Sequence, residues 1–257
     1  MIFDYFDMLS GQPLALGGVG HIRSPYLHEL FLGDDGIPRK AMYNAYLSVL
    51  SWDREAVLKY MKDKQFRGVG KMERSALSVF DIATLWPRTR ELFNEALSFF
   101  IVERVAWDEG GRCFTVTNDD GFIVGTVSRE NFDEVRRAIL QMNYIGLDHE
   151  ASPIKHSNGA SKELWEKAQK HLKELAKNDA GKDKPEYHLS NIVSKVCAAH
   201  HSYNLFNIYN LTIFQLYDTF FQIGYLRSSN LNERIFSNHG GEKFKFENWL
   251  KPIFKNM

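Results

Sequence analysis

Two clusters of turn-forming residues divide one β-rich stretch of this chain into three short segments. The clusters are residues 109–111 (EGG) and 118–121 (NDDG). The segments around them are residues 99–107, 113–117 and 122–127. They are rich in β-branched and aromatic side chains, as β-strands are. The pattern predicts a three-stranded antiparallel meander over residues 99–127, and such a meander must pack on other elements because it is marginally stable alone.

Helical spacing of apolar residues predominates on both sides of this meander. Helices are expected over residues 42–50, 51–62, 75–85 and 88–97, with Pro87 marking a boundary. Ser128 is expected to be the N-cap of the next helix, with Val127 and Phe132 as a hydrophobic staple. We therefore predict a mainly α protein of the α+β class, in which helical segments flank a small three-stranded antiparallel β-meander.

Two further helices are expected near the C-terminal end. The apolar residues between Leu189 and Tyr203 form one face of a helix. Thr212 and Gln215 have the spacing of a capping box, and the helix that they open, to about residue 225, is apolar on nearly all sides. We expect that helix to be buried.

The length of 257 residues suits one large or two small domains. Changes in period and composition suggest four regions along the chain. These are an N-terminal helical region (1–98), the meander with its helix (99–145), a charged helix and linker (146–187) and a C-terminal helical region (188–257).

Composition excludes several classes of protein. The 32 basic and 32 acidic residues give a net charge of zero, which argues against nucleic-acid and polybasic membrane binding. An aromatic content of 14% predicts a core rich in rings and a surface suited to partners. Two cysteines and an N-terminus without a signal-peptide pattern lead us to expect a soluble, cytoplasmic chain with reduced thiols.

A weak metal-site candidate lies in the predicted helix that follows His188. Cys197, His200 and His201 are three and four residues apart, so one helical face would bring them together, with His188 upstream. A second ligand cluster is missing, and the same residues fit a buried apolar face. We expect no metal and no cofactor.

The sequence contains no convincing catalytic motif. Cys113 beside Arg112 lies on a predicted strand, where a cysteine usually behaves as a small apolar side chain. The acids Glu130, Asp133 and Glu134 suit the first turn of a helix without any chemistry. The glycine-rich residues 17–20 and 68–71 lack the spacing of nucleotide-binding loops and are interpreted as turns. We therefore expect a protein that is not an enzyme.

Two apolar stripes are candidates for partner contacts. One steps along the lysine-rich residues 162–184, and the other lies near the C-terminal end. The candidate residues are Trp165, Ala168, Leu172 and Leu175 in the first stripe, and Phe246, Trp249 and Leu250 in the second. Stripes at helical spacing also commonly face the chain's own core, and that alternative stays open.

Three stretches resemble one group of proteins of phages and prophages of Gram-positive bacteria. Residues 20–30 (GHIRSPYLHEL) resemble its Ile-x-x-Pro-x-Leu-x-Glu-Ile segment, with departures at His21 and His28. Residues 128–135 (SRENFDEV) are similar to its Arg-Glu-Asn-Phe-Asp-Glu-Ile helix start. Residues 211–218 (LTIFQLYD), with a late Trp249, are similar to its Leu-Thr-Val-Tyr-Gln-Leu-Tyr-Asp segment and terminal Trp.

The resemblance implies a protein of the tail module. It implies a tail-assembly chaperone that binds a helical tape-measure protein in the host cytoplasm, or alternatively a structural tail or baseplate component of the virion. The partners would be phage tail proteins, with a homo-oligomer as a further possibility and with neither nucleic acid nor membrane as a partner. A metal-dependent enzyme that uses the Cys197 cluster is the alternative from another class.

Overall fold

The structure is a computed structural model that describes residues 2–31, 39–53, 77–146 and 188–239. The chain divides into two compact units. Unit 1 comprises Met1–Leu147 and Tyr209–Gln215, and unit 2 comprises Asp148–Ile208 and Leu216–Met257. The prediction of a mainly α, α+β protein is confirmed. The predicted helix over residues 51–62 and the charged region 146–187 lie almost wholly outside the described residues.

Unit 1 combines helices with two small antiparallel sheets. Among its described residues the helices are α1 (Tyr5–Leu9), a short 3-10 helix (Leu27–Leu30), α2 (Arg39–Ser51), α3 (Val79–Leu85), α4 (Pro87–Phe100) and α5 (Phe132–Met142). Its strands are β1 (Leu14–Leu16), β2 (Gly20–Ile22), β3 (Arg104–Asp108), β4 (Cys113–Thr117) and β5 (Ile123–Val127). Strands β1 and β2 form one sheet, and β3, β4 and β5 form the other in that order.

The C-terminal helices are α6 (Leu189–Ala199) and α7 (Ile213–His239), with a 3-10 helix (Ile208–Asn210) between them. Helix α7 is longer than expected. Over the predicted part, to about residue 225, residues 213–218 are mostly buried and residues 219–225 are mostly half-buried, and the exposed apolar side chains lie beyond it. Phe214 is fully buried in its first turn, whereas Leu226 and Leu231 are 55% and 58% exposed. None of the described helices is long and apolar enough to cross a membrane.

The predicted meander is confirmed, but its first strand begins later than expected. Strands β3 and β4 pair from Arg104 with Thr117 to Asp108 with Cys113, and β4 pairs with β5 across the turn at residues 118–121. Phe99 and Phe100 belong to the end of α4. Their β-like composition was misleading because Phe100, which is fully buried, fills the core from the last turn of this helix.

The hairpin β1–β2 was not predicted. Residues 17–19 form the turn between its two strands, in agreement with the interpretation of residues 17–20 as a turn. The turn lies against strand β5, where Thr126 N donates to Gly18 O at 2.9 Å. A Cβ on Gly125 would lie 2.5 Å from Gly18 O and from Val19 O. Only glycine permits this close approach of the hairpin to the meander.

Aromatic rings join the meander to the helices around it. The Phe132 ring of α5 lies 5.2 Å from Phe80 of α3 and 5.6 Å from Phe93 of α4, measured between centroids. Phe114 of β4 continues the cluster, at 6.3 Å from Phe80 and 5.0 Å from Trp107. Most of these contacts are tilted or edge-to-face, the arrangements that ring pairs prefer. The expected ring-rich core is present.

Helix α5 begins three residues later than its predicted cap implies. Its N-cap is Asn131, while Ser128 belongs to a turn that precedes the helix. The Ser128 hydroxyl donates to the Glu130 carboxylate, and Ser128 N donates to Asn131 Oδ1 at 2.8 Å. These bonds hold Ser128 in the turn, so it does not cap the helix. Val127 and Phe132 are buried as expected, but not at staple positions.

Arg136 of α5 supplies the hydrogen bonds that the end of α2 lacks. Its Nε donates to Leu50 O at 2.7 Å, and its Nη2 donates to Trp52 O. The last carbonyls of a helix have no partner within the helix, and a cation there also suits the helix dipole. Arg136 is buried and also pairs with Asp133 at 3.0 Å. Burial lowers the pKa of its guanidinium, and the negative charge of the Asp133 carboxylate offsets part of this shift.

Two of the three family-like stretches meet in unit 1. Leu27 N donates to Leu211 O and Ile213 N donates to Pro25 O, both at 2.9 Å. The predicted capping box is confirmed, because Thr212 N donates to Gln215 Oε1 at 3.0 Å and Gln215 N donates to Thr212 Oγ1 at 3.3 Å. The start of α7 is therefore attached to the N-terminal part of the chain.

The two histidines that depart from the family pattern both have local partners. His21 Nδ1 lies 2.5 Å from Glu103 Oε1, and His21 N donates to Glu103 Oε2 at 2.9 Å. His28 stacks on Tyr26, and its Nδ1 lies 3.0 Å from Tyr209 O. Burial raises the pKa of Glu103, but the hydrogen bonds from His21 outweigh it, so the pKa of this carboxyl is lowered from its ordinary value.

Replacing Arg136 with methionine should destabilise the protein strongly. Arg136→Met keeps the apolar stem but leaves the buried carbonyl of Leu50 and that of Trp52 without their donor, which should cost about 2–4 kcal/mol in the free energy of unfolding. The exposed neighbour Arg137 is the control, and Arg137→Met should change it by less than about 0.5 kcal/mol. Urea unfolding followed by circular dichroism measures both, and equal losses would contradict the role assigned to Arg136.

The carboxylate of Glu103 should make stability depend on acid pH. Because its pKa is lowered in the folded state, Glu103 stabilises the fold above the unfolded-state pKa, and this contribution is lost as pH falls through the folded-state value. The Glu103→Gln variant should therefore have a lower free energy of unfolding than the parent at pH 7. Between about pH 5 and pH 3 its free energy of unfolding should fall by less than that of the parent. Glu134→Gln, at an exposed position of α5, is the control for general charge effects in the same pH series.

Candidate protein-interaction site

The Cys/His candidates do not share a helical face. Cys197 lies in α6, but this helix ends at Ala199, and His200 is its C-cap with extended backbone angles. His201 follows in a turn, and His188 is the N-cap at the opposite end of the helix. Within the part of the chain that the structure describes, no three His, Cys, Asp or Glu side chains could hold a metal ion together. The spacing argument fails because the helix stops one residue before the first histidine.

The surroundings of the residues considered for catalysis are explained by their places in the fold. Cys113 is half-buried at the start of β4, and burial, followed by the charge of Asp108, raises the pKa of its thiol. That direction disfavours the thiolate that a nucleophile needs. Asp133 pairs with Arg136. Glu130 accepts a hydrogen bond from the Ser128 hydroxyl, which lowers the pKa of this fully exposed carboxyl.

A cleft of about 650 Å³ in unit 1 lies between α3 and the β3–β4 turn. Four of its charged groups already pair with one another. Arg90 Nη2 lies 2.7 Å from Glu109 Oε1, and Arg129 Nη2 lies 3.1 Å from Asp81 Oδ2. Arg90 also lies over the Trp107 ring, 5.0 Å from its centroid. The charges of this cleft mainly hold the meander to the helices, so it is the weaker candidate for a binding site.

A second cavity, of about 440 Å³, lies in unit 2 between α6 and α7. We call it the α6–α7 groove. Helix α6 contributes Asn191, Lys195 and Ala199, and helix α7 contributes Phe220, Phe221, Ile223, Gly224 and Arg227. The apolar part of the groove includes two phenylalanine rings in edge contact, with 5.5 Å between centroids. Its volume is within the range of ligand cavities in proteins and could accept a few apolar side chains.

The charged residues of the groove are both cations. Lys195 and Arg227 are exposed, and neither has an ion-pair partner among the described residues. The described residues that line the groove include no acid. Among the described residues, this groove therefore presents two cations beside apolar surface and no acid that would neutralise them.

Gly224 lies in the interior of α7, where glycine disfavours the helix by about 1 kcal/mol relative to alanine. A Cβ added at this position would have no atom within 4 Å. Packing within the described part of the chain therefore gives no reason for a glycine here. Because glycine has no side chain, the α7 backbone permits the close approach of another segment at this position.

The loop after α6 exposes two apolar side chains. Leu205 and Phe206 are 60% and 97% exposed. Side-chain amides hold the loop in shape, since Asn204 Oδ1 accepts from Phe206 N at 2.8 Å and Asn207 Oδ1 accepts from Asn204 N at 2.8 Å. Isolated exposed apolar residues are common on protein surfaces, so this pair does not define a site by itself.

The partner residues proposed from the sequence lie outside the described residues. These are Trp165, Ala168, Leu172 and Leu175, and also Phe246, Trp249 and Leu250. The glycine-rich residues 68–71 lie outside them as well. Sequence reasoning missed Lys195, Gly224 and Arg227, although a glycine within an apolar helical pattern was a visible signal of an unusual position.

One comparison with known proteins gives a match. A family model described as the YomV second domain matches residues 181–254, which include the whole α6–α7 groove. YomV is a phage or prophage protein of Bacillus, so the match associates the chain with phage proteins. It covers less than a third of the chain. No curated protein and no solved structure matches.

Replacing Gly224 with alanine should stabilise the protein. Gly224→Ala adds a methyl group in open space and reduces the freedom of the unfolded chain, so the free energy of unfolding should rise by about 0.5–1 kcal/mol. Thermal melts monitored by circular dichroism would show a small increase in Tm. A loss of stability would mean that the glycine serves packing within the chain, and the groove would lose part of its support as a site.

Proposed function

We propose that this phage-associated chain is a non-enzymatic, tail-assembly chaperone-like protein that binds a helical tail protein, such as a tape-measure protein, in the host cytoplasm. The observation that carries the proposal is the α6–α7 groove, which lies within the segment that matches the YomV second domain. Apolar surface beside two cations that have no ion-pair partner among the described residues suits a protein partner of complementary charge.

Three further observations support this proposal. The resemblance of residues 20–30, 128–135 and 211–218 to tail-module proteins keeps its order along the chain. The Cys197 and His200 side chains do not lie on one helical face, which removes the geometric basis for the metal-enzyme alternative. The raised pKa of Cys113 gives no support to thiol catalysis.

The first experiment compares two samples from cells that produce the phage. We expect quantitative mass spectrometry of the affinity-purified full chain from lysate to show co-purification with a long helical tail protein. Gradient-purified particles should lack the chain, because a chaperone dissociates when the tail is complete. A variant with Phe221→Asp should lose the partner, whereas Phe122→Asp, at an exposed position of unit 1, should retain it.

Presence in particles at a fixed copy number would contradict the chaperone proposal and favour a structural tail or baseplate component. In that case a symmetric oligomer would be expected, since virion parts assemble by repeated contacts. Absence from both a tail-protein complex and the particles would contradict both tail functions.

A further inference from the structure

We propose that the occupant of the α6–α7 groove is an amphipathic α-helix whose apolar face is bordered by acidic side chains. The proposal rests on the proposed function, because it names the surface by which a helical partner would bind. Its basis is the arrangement of Lys195, Gly224 and Arg227 around the apolar residues of the groove.

Charge complementarity selects an acidic border. Lys195 and Arg227 lie on different helices that line the same groove, and neither has an ion-pair partner among the described residues. Matched charges around an interface guide association and exclude wrong partners, whereas like charges repel. A partner that carries Glu or Asp beside its apolar stripe would neutralise both cations.

The missing side chain at Gly224 favours a helix as the occupant. Gly224 has no Cβ, and no atom of the described residues lies within 4 Å of where one would be, so a partner helix could approach α7 closely there. Close packing of helices uses small residues at the crossing point, and Ala199 of α6 is a second small residue that lines the groove. An amphipathic helix placed in a groove presents apolar side chains at positions i, i+3, i+4 and i+7.

A second copy of this chain fits less well. A two-fold dimer that faces groove to groove would place Lys195 and Arg227 against their own copies. The described residues of the groove provide no acid to neutralise those four charges. The charge pattern therefore favours a different protein with acidic flanks.

The test measures binding of labelled peptides to the full chain by fluorescence anisotropy. Two 18-residue amphipathic peptides share one leucine face and differ only in the flanking residues, which are Glu in one and Lys in the other. We expect the Glu peptide to bind roughly tenfold more tightly, since two exposed ion pairs replace two repulsive contacts. The ratio should fall as salt is raised to about 1 M. A third peptide, with the Glu peptide's composition in scrambled order, should bind at least tenfold more weakly.

Two sets of variants make the test specific to the groove. Lys195→Glu combined with Arg227→Glu should reverse the preference, so that the Lys peptide binds more tightly. Gly224→Leu should abolish peptide binding while retaining the melting temperature, because leucine favours helices and fills open space. Asn230→Leu adds the same side chain to an exposed position of α7 outside the groove and should leave binding unchanged.

Equal binding of the Glu and Lys peptides, or failure of the charge reversal to switch them, would overturn the inference. Binding of the scrambled peptide as tightly as the Glu peptide would overturn the helical occupant. An 18-carbon fatty acid that binds with the same Gly224 dependence, when no peptide does, would identify an anionic amphiphile instead. Dissociation of a dimer by Gly224→Leu, again without peptide binding, would identify a second copy of the chain.

The inference and the proposed function can fail separately. If the Glu peptide binds selectively but no tail protein is found in the lysate complex, the assignment of the groove to an acidic helix stands and the tail function is contradicted. A tail-protein complex that survives Gly224→Leu and the charge reversal would keep the function and overturn this assignment of its surface.

Discussion

The hydrogen bonds between residues 24–27 and 211–214 are the constraint on which the architecture of unit 1 depends. Leu27 N reaches Leu211 O, Ile213 N reaches Pro25 O, and Phe214 N reaches Ser24 Oγ. These bonds join parts of the chain that are almost 190 residues apart. Closing so long a loop costs conformational entropy, so local burial must offset it. Phe214 provides that burial, with its ring against Tyr144 and Tyr5.

The same junction determines where α7 begins. Gln215 accepts from Thr212 N within the capping box, and its Nε2 donates to Leu9 O at 2.9 Å. One side chain thus completes a helix start and attaches it to the N-terminal segment. Arg136, which belongs to α5, has the corresponding role at the end of α2, where its side chain donates to Leu50 O and Trp52 O. In both places an orphan backbone group at a helix end is satisfied by a distant side chain.

Local patterns predicted the elements better than their ends. The turn residues at 118–121 and the capping box of Thr212 are short-range signals, and both are present as expected. Ser128 failed as an N-cap because its neighbours Glu130 and Asn131 hold it in a turn. His200 failed as a helical metal ligand because α6 ends at Ala199. Such boundaries depend on competition between nearby hydrogen bonds, which periodicity does not register.

The groove could not be predicted because it depends on how α6 and α7 come together in the fold. Its significance comes from two features that coincide there. Gly224 weakens α7 although no described atom needs its small size, and Lys195 and Arg227 remain without counter-ions among the described residues. In the cleft of unit 1, by contrast, Arg90 and Arg129 pair with Glu109 and Asp81, and only Arg112 has no ion-pair partner among the described residues. Sequences tend to depart from local consistency at functional sites. The glycine that weakens α7 is such a departure, and it lies beside two cations that a partner could neutralise.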